Sequence, residues 1–120
     1  MDQDDLSPAK NFLASDCEYK TEGKLFFGPD DIIAEYQQHA DHAKTTFDKV
    51  IYKSQIQQRD QTTFEATYKD IISKDGITHT YRCKQIFKFN AQAKIYRIEH
   101  ISIPGEIEAF REFYKKVGLS

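Results

Sequence analysis

The chain has 120 residues, of which 39% are hydrophobic and 30% charged, and its formal net charge is −2. A chain of this length and composition can bury one core and is expected to fold as a single domain. Its Lys and Arg residues are interleaved with Asp and Glu, so it lacks the basic footprint of a nucleic-acid-binding protein. No apolar run approaches the roughly 20 residues needed to cross a bilayer, and we expect no membrane partner.

The N-terminal segment and the cysteine and histidine content set further expectations. Residues 1–7 are acidic and lack the basic and apolar regions of a signal peptide. They are predicted to be a flexible tail on a domain spanning residues 8–120, with a cytoplasmic location. Cys17 and Cys83 provide neither a disulfide framework nor a four-ligand zinc site. Since His39 and His42 have no evident third ligand, we expect no metal. The sequence has no glycine-rich phosphate loop and no dinucleotide-binding fingerprint, so we expect no organic cofactor.

The first half of the chain contains three predicted elements. They are a short helix at residues 8–14, a hairpin of strands at residues 17–21 and 24–27, and a main helix from residue 29 to about residue 44. Pro8 and Pro29 each suit the first position of a helix. Ile32, Tyr36 and Ala40 recur at helical spacing, which predicts one apolar face on the main helix.

The second half alternates apolar and polar residues, which indicates β-strands. The predicted elements are strands at residues 47–58, 62–73, 77–89 and 94–103, followed by a helix at residues 106–117. Asp75-Gly76 between the second and third of these strands favours a tight hairpin turn. These elements predict an α+β fold in which an antiparallel meander follows a main helix.

This order of elements resembles the nuclear-transport-factor-2-like superfamily, which includes SnoaL-like polyketide cyclases and ketosteroid isomerases. The resemblance is carried by three segments: FLASDCEY at residues 12–19, GPDDII at residues 28–33 and FKFNAQAKI at residues 87–95. It implies a cone, that is, a curved antiparallel sheet wrapped around the main helix, with a short N-terminal helix and a C-terminal helix. The first helix is shorter here than is usual in the family.

The resemblance also implies that the inner face of the cone lines a pocket for a small hydrophobic or aromatic molecule. Strand parity and alignment of the last strand with the family pattern give the expected ligand-binding residues. They are Tyr52, Tyr68, His79, Tyr81, Cys83, Phe87, Tyr96 and Ile98. The alternative is that aromatic side chains fill a cone this small and leave no functional cavity.

Three residues of the expected inner face are candidate catalytic groups: His100, Gln85 and Asp70. His100 has a reference pKa near neutral pH, and its pairing with Asp70 or His79 would suit a cyclase or dehydratase. In the ketosteroid-isomerase pattern, Gln85 matches the protonated aspartate, whereas no carboxylate matches the base. The function predicted is therefore a SnoaL-like small-molecule-binding protein, as a cofactor-independent isomerase, cyclase or dehydratase. The alternative is a non-catalytic ligand-binding or protein-interaction module.

The outer face of the sheet breaks its polar pattern at four positions, one on each long strand: Ile51, Ile71, Ile86 and Ile101. If the strand registers align these side chains, they form an apolar stripe ringed by charge, which is typical of an interface. The stripe predicts a homodimer through the outer face. The alternative is that the C-terminal helix folds back over it.

Overall fold

The computed structural model describes residues 6–21 and 23–119. Its elements are a 3₁₀ helix (Ser7–Phe12), β1 (Leu13–Thr21), β2 (Lys24–Phe27), α1 (Pro29–Thr46), β3 (Lys49–Gln58), β4 (Thr63–Lys74), β5 (Ile77–Phe89), β6 (Ile95–Ser102) and α2 (Glu106–Lys116). Residues 1–5 of the expected tail lie outside the described residues. Leu6, by contrast, packs against the core, so the ordered domain includes residues that the sequence assigned to the tail.

The six strands form one curved sheet in the order β2-β1-β6-β5-β4-β3. All neighbours pair antiparallel except β1 and β6, which are parallel. The sheet is therefore mixed, whereas the sequence predicted an antiparallel one. Leu13 and Ala14 begin β1 rather than ending a helix, because the parallel ladder with β6 extends the strand back to Leu13↔Ile95.

Local sequence explains the main helix and the tightest turn. Gly28 precedes α1 with φ 88°, and Pro29 occupies its first turn together with Asp30 and Asp31, whose charges favour the positive end of the helix dipole. Asp75 and Gly76 join β4 to β5 with φ of 52° and 79°, the left-handed conformation that this turn requires.

Both α-helices pack against the same side of the sheet, which we call the inner face. Two separate apolar clusters form there. The β1 cluster joins α1 to the sheet through Leu13, Cys17, Tyr19, Ile32, Ile33 and Ile98. The α2 cluster consists of Phe47, Ile72, Phe113 and Val117. Phe87 of β5 pairs with Ile98, and His79 of the same strand pairs with Ile72, so the two clusters lie at different levels along one face.

The C-terminal helix does not cover the outer isoleucines. The Phe113 ring of α2 stacks on His79 at 5.2 Å, and the Phe110 ring meets Tyr81 at 5.1 Å, and both partners belong to the inner face. The suggestion that α2 folds back over the outer face is therefore wrong.

The strand registers also divide the expected outer stripe into two pairs. Ile51 lies directly opposite Ile71, whereas Ile86 lies between Glu65 and Glu99, diagonal to Ile101. Ile71 pairs with Thr80, six residues from Ile86 along β5, or about 20 Å at ~3.3 Å per residue. Charged rows such as Lys69↔Arg82 occupy the space between the pairs. The stripe is thus not continuous.

Candidate functional site

The strand registers place most of the predicted site residues on the inner face. Gln85 of β5 lies opposite Ala66 of β4 and His100 of β6, and Cys83 lies opposite Tyr68. Asp70 is opposite Tyr81 on one side and Tyr52 on the other. The meander therefore positions these side chains by its pleat alone, since alternate residues point to the same face.

A chain of hydrogen bonds crosses the inner face at Gln85. The Tyr36 hydroxyl of α1 donates to Gln85 Oε1 at 2.8 Å, and Gln85 Nε2 donates to the Tyr19 hydroxyl of β1 at 3.2 Å. His100 Nδ1 lies 3.5 Å from Gln85 Nε2. Gln85 is only 5% exposed, and both ends of its amide are occupied by protein groups. It therefore joins α1 to the sheet and is not available to polarise a bound carbonyl.

The tyrosines around this chain hold their protons at neutral pH. The Tyr36 and Tyr19 rings stack at 5.1 Å, and burial raises the pKa of both hydroxyls. Burial, followed by the neighbouring Cys83, raises the pKa of Tyr68 to about 12. These groups can donate and accept hydrogen bonds. Because they remain protonated near pH 7, they cannot act as general bases.

A cavity of about 340 Å³ opens beside this chain, between the 3₁₀ helix, α1 and the inner face. Such a volume falls at the lower end of small-molecule sites. Its lining is apolar except for two tyrosines, and consists of Leu6, Ala9, Phe12, Leu13, Ile33, Tyr36, Tyr68, Phe87, Ile95 and Ile98. Within the described residues, this lining contains no charged side chain and no histidine.

The 3₁₀ helix forms one wall of the cavity and is tied down at three points. The Leu6 backbone N–H donates to Gln37 Oε1 at 2.9 Å. Lys10 pairs with Asp30 at 3.1 Å, and the Lys94 ammonium donates to the Asn11 carbonyl. Phe12 ends this wall with 65% of its surface exposed. The short helix thus covers part of the inner face from a fixed position.

The predicted ligand-binding residues divide into three groups. Tyr68, Phe87 and Ile98 line the cavity. His79 and Tyr81 instead pack under α2 against Phe110. The remaining three do not line it either: Cys83 is buried, Tyr52 is 60% exposed on the edge strand β3, and Tyr96 is 40% exposed.

A bulge explains why Tyr96 is displaced. Lys88 pairs with Arg97, but the next pair is Phe89 with Ile95, which leaves Tyr96 as the extra residue of β6. The inward position consequently passes to Ile95, which packs against the β1 cluster and lines the cavity. The alignment that placed Tyr96 inward is thus corrected by one residue, whereas Ile98 and His100 keep their inward parity.

The three candidate catalytic residues do not form one constellation. Gln85 and His100 are neighbours. Asp70, however, pairs with Tyr81, four residues from Gln85 along β5, or about 13 Å at ~3.3 Å per residue. Burial raises the pKa of Asp70, but the register separates this carboxyl group from His100. His79 is farther still, so neither proposed partner of His100 lies in its row of the sheet.

Several residues of this site were not predicted from the sequence. The helical spacing of Tyr36 predicts only a position on the apolar face of α1, and the sequence predicts no site role for Tyr19. The sequence does not predict the contribution of Leu6, Ala9 and Phe12 to the cavity, because no local pattern shows where a 3₁₀ helix packs. One sequence signal for Tyr19 is its strand parity, which it shares with Cys17. The structure buries both side chains.

A second depression, of about 470 Å³, lies where the start of β1 meets the β5–β6 turn. Asp16, Asn90, Gln92 and Lys94 make its lining largely polar. It contains none of the predicted site residues and no aromatic side chain. The smaller cavity under the 3₁₀ helix is therefore the better candidate site.

Comparison with solved structures identifies the architecture. A steroid delta-isomerase from Pseudomonas aeruginosa superposes with a TM-score of 0.63 at 14% identity, over 95% of this chain and 80% of that chain. A nuclear-transport-factor-2-like protein of unknown function from Cytophaga hutchinsonii gives 0.64 at 14% identity, over 81% and 84%. The chain has the nuclear-transport-factor-2-like fold. TerC, co-crystallised with polyporic acid, gives 0.65 at 16% identity, over 92% and 86%.

These similarities establish the nuclear-transport-factor-2-like fold and leave the activity open, since one fold hosts many functions. No family model and no curated protein matches the sequence. Within residues 6–21 and 23–119, no group of three or more His, Cys, Asp and Glu side chains is arranged to hold a metal ion. No helix in this part of the chain is long and apolar enough to span a membrane.

Proposed function

We propose that this protein binds a small, uncharged and largely apolar molecule in the cavity under the 3₁₀ helix. The observation that carries the proposal is the lining of this cavity, whose exposed surface is almost entirely apolar. Small-molecule sites are lined predominantly by hydrophobic and aromatic side chains. A cytoplasmic location is part of the proposal.

The absence of charged side chains from the described lining favours an uncharged ligand. A carboxylate or an ammonium group in this cavity would lose its hydration without gaining a charged partner, which is costly. Two proteins of the same fold have names that refer to small molecules: a steroid delta-isomerase and TerC with polyporic acid. By analogy of fold alone, they support a small organic ligand here.

Binding is better supported than catalysis. The SnoaL-like isomerase, cyclase or dehydratase activity predicted from the sequence requires a group that moves protons at neutral pH. His100 is the nearest candidate, but it contacts Gln85, and neither residue lines the cavity. Catalysis by His100 therefore stays a prediction, and the binding module is the function that we propose.

Titration with phenylnaphthylamine, an uncharged dye that fluoresces in apolar surroundings, tests this function. We expect saturable binding with one site per chain. Ala9→Phe places a ring in the cavity and should weaken dye binding at least tenfold. Ala109→Phe, the same change at an exposed position of α2, should leave the affinity within twofold. Absence of saturable binding to the wild type, or equal binding to Ala9→Phe, would contradict the proposal.

The homodimer stays a prediction in a narrower form. The outer face offers two small apolar pairs, Ile51 with Ile71 and Ile86 with Ile101, and not one stripe. A dimer through this face would have to use one pair with its charged surroundings. Sedimentation velocity at micromolar concentration decides the matter, because a single species of monomer mass would rule the dimer out.

A further inference from the structure

The sheet ends on two edge strands of very different length. The edge strand β2 has four residues, whereas β3 at the opposite edge has ten. In the part of the chain that the structure describes, no strand pairs with the open side of β3, and nine of its ten residues are exposed. A long exposed edge strand presents unpaired backbone groups to other chains, which proteins usually avoid by keeping such strands short. β3 is therefore a candidate surface for the addition of a further strand.

The backbone groups on this open edge belong to alternate residues, which the register identifies. The Arg59 N–H donates to the Thr63 carbonyl at 2.9 Å, and these two residues are next in register after Gln58↔Phe64. Hydrogen-bonded and non-hydrogen-bonded pairs alternate along an antiparallel ladder. The odd-numbered residues of β3 therefore bond to β4, and the even-numbered residues turn their N–H and C=O groups to the open edge. These outward-turned residues are Val50, Tyr52, Ser54, Ile56 and Gln58.

Two of the outward-turned residues also carry the most exposed apolar side chains of the strand. Tyr52 is 60% exposed and Ile56 is 71% exposed. Both belong to the inner face, since they lie opposite Asp70 and Ala66 of β4. Ser54 lies midway between them on the same face. A second β3 that runs antiparallel, with its Ser54 opposite the first Ser54, therefore places Tyr52 of each copy opposite Ile56 of the other.

Hydrogen bonding and charge favour this register over its neighbours. It pairs every outward-turned residue with another and so uses the whole open edge. On the outer face it sets Lys53 opposite Gln55 of the second copy. If the pairing were centred on Lys53, two lysines would face each other directly, which destabilises a sheet. If it were centred on Gln55, Tyr52 would lie opposite the polar Gln58. The sequence of β3 therefore matches itself best in one antiparallel register.

We propose that β3 pairs antiparallel with β3 of a second copy of this chain, centred on Ser54, so that two six-stranded sheets join into one. This interface is separate from the outer face, and the association does not depend on the proposed ligand binding. At each end of the pairing, Lys49 meets Arg59 of the second copy, whose charge is already paired with Glu65. An interface made by one strand from each copy is small, so we expect a reversible dimer of low affinity.

Sedimentation velocity from micromolar to submillimolar concentration tests the association. We expect a reversible equilibrium between monomer and dimer. Ser54→Pro removes an N–H that is directed to the open edge, where a strand tolerates proline because the ladder with β4 keeps its bonds. The dimer loses one hydrogen bond from each copy, which should weaken dimerisation roughly 5- to 150-fold. Circular dichroism checks that the variant is folded.

Two further variants keep this measurement decisive. If Ser54→Pro fails to fold, the double variant Tyr52→Lys with Ile56→Lys replaces it, because it opposes like charges twice in the dimer at side chains that are exposed in the monomer. Ile101→Lys is the matched control, since it introduces the same charge at an exposed position of the outer face. It should leave the dimerisation constant within twofold.

Cross-linking tests the register itself. Ser54→Cys should form a disulfide-linked dimer under mild oxidation, because directly opposite residues of a hydrogen-bonded pair lie about 5.5 Å apart at Cα, within the range that a disulfide spans. The native Cys17 and Cys83 are buried. Gln57→Cys, at another exposed position of β3, is the control. Its two copies would lie six residues apart along the pairing, or about 20 Å at ~3.3 Å per residue, and should not cross-link.

Three results would overturn the inference. The first is a single species of monomer mass at every concentration. The second is a dimer that Ile101→Lys dissociates and Ser54→Pro does not, which would place the interface on the outer face. The third is equal cross-linking of Ser54→Cys and Gln57→Cys, which would show that the two strands do not pair in this register.

Discussion

The two apolar clusters of the inner face show opposite ways of filling a curved sheet. In the α2 cluster, aromatic rings from α2 and Phe47 pack against one another, with centroids 4.7 Å apart for Phe110 and Tyr114 and 6.1 Å apart for Phe47 and Phe113. The β1 cluster instead leaves a cavity of about 340 Å³ under the 3₁₀ helix. The filled interior and the open pocket that the sequence left as alternatives therefore coexist, each at its own level of the sheet.

This difference follows from the helices that cover each level. α2 contributes its large side chains at helical spacing, with Phe110, Phe113 and Tyr114 directed at β5 and Phe47. The 3₁₀ helix is only six residues long and contributes mainly Ala9 and Phe12 to its side of the cavity. A cover of six residues, whose Phe12 remains largely exposed, leaves space beneath it.

The largest loss of stability is expected from a change in the α2 cluster. Phe113 is 3% exposed and meets Phe47, His79 and Tyr114. Phe113→Ala should lower the free energy of unfolding by about 3–5 kcal/mol, the usual range for removing a buried phenylalanine ring. Denaturant unfolding measures the change. Dye affinity of the folded variant should remain within twofold, because the cavity lies in the other cluster.

Phe27→Ala serves as the matched control, since Phe27 is exposed on β2 and its loss should cost at most about 0.5 kcal/mol. Loss of dye binding in Phe113→Ala under conditions where that variant is folded would show that the two clusters are not independent.

A smaller effect is expected at the boundary of the cavity. Gln85→Leu keeps a similar volume but removes the acceptor of the Tyr36 proton and the donor to Tyr19. The stranded hydroxyls should lower the free energy of unfolding by about 1–3 kcal/mol. Gln55→Leu, at an exposed position of β3, should change it by at most about 0.5 kcal/mol. Equal stabilities of the two variants would mean that the hydrogen-bond chain contributes nothing.

The smallest effect concerns His79 and depends on pH. Burial against α2 lowers the pKa of His79, and Arg82 and Lys116 lower it further, while Glu106 acts in the opposite direction. The unfolded chain, with a reference pKa near 6.5, therefore takes up this proton at a higher pH than the folded protein. Stability should fall as the pH drops through about 6.5, and the loss is complete below the folded pKa.

His79→Leu removes this proton uptake, and the other histidines are common to both proteins. The unfolding free energy of the wild type should therefore fall relative to that of the variant as the pH is lowered from 7.5 to 5.5. A difference that is constant over this interval would show that His79 has the same pKa in both states.

The sequence predicted local structure better than it predicted pairing. The thirteen residues of β5 have the predicted bounds, Ile77–Phe89, because the alternation of side chains and the Asp75-Gly76 turn define both the strand and its start. The parallel pairing of β1 with β6 was missed, because strand propensity shows which residues are extended but not which strands become neighbours.

The same limit applies to the candidate site. Parity correctly put Gln85 beside His100, since both lie on regular stretches of adjacent strands. It failed at Tyr96, where one extra residue changes the face, and it could not show that Asp70 lies in another row. The cavity walls come from the 3₁₀ helix and α1, whose placement depends on tertiary packing and is not encoded in any local pattern.

The parallel pairing of β1 with β6 has a consequence for the order of folding. Strands β3 to β6 form a meander of hairpins between sequence neighbours, whereas β1 joins β6 from the opposite end of the chain. Contacts between distant segments carry the largest loop-closure cost and tend to form late. The amides of the meander should therefore become protected before those of β1. Pulse-labelling hydrogen exchange tests this order, and simultaneous protection of β1 and the meander would contradict it. If folding follows this order, the cavity forms last, because its lining combines residues of the 3₁₀ helix and β1 with residues of β6.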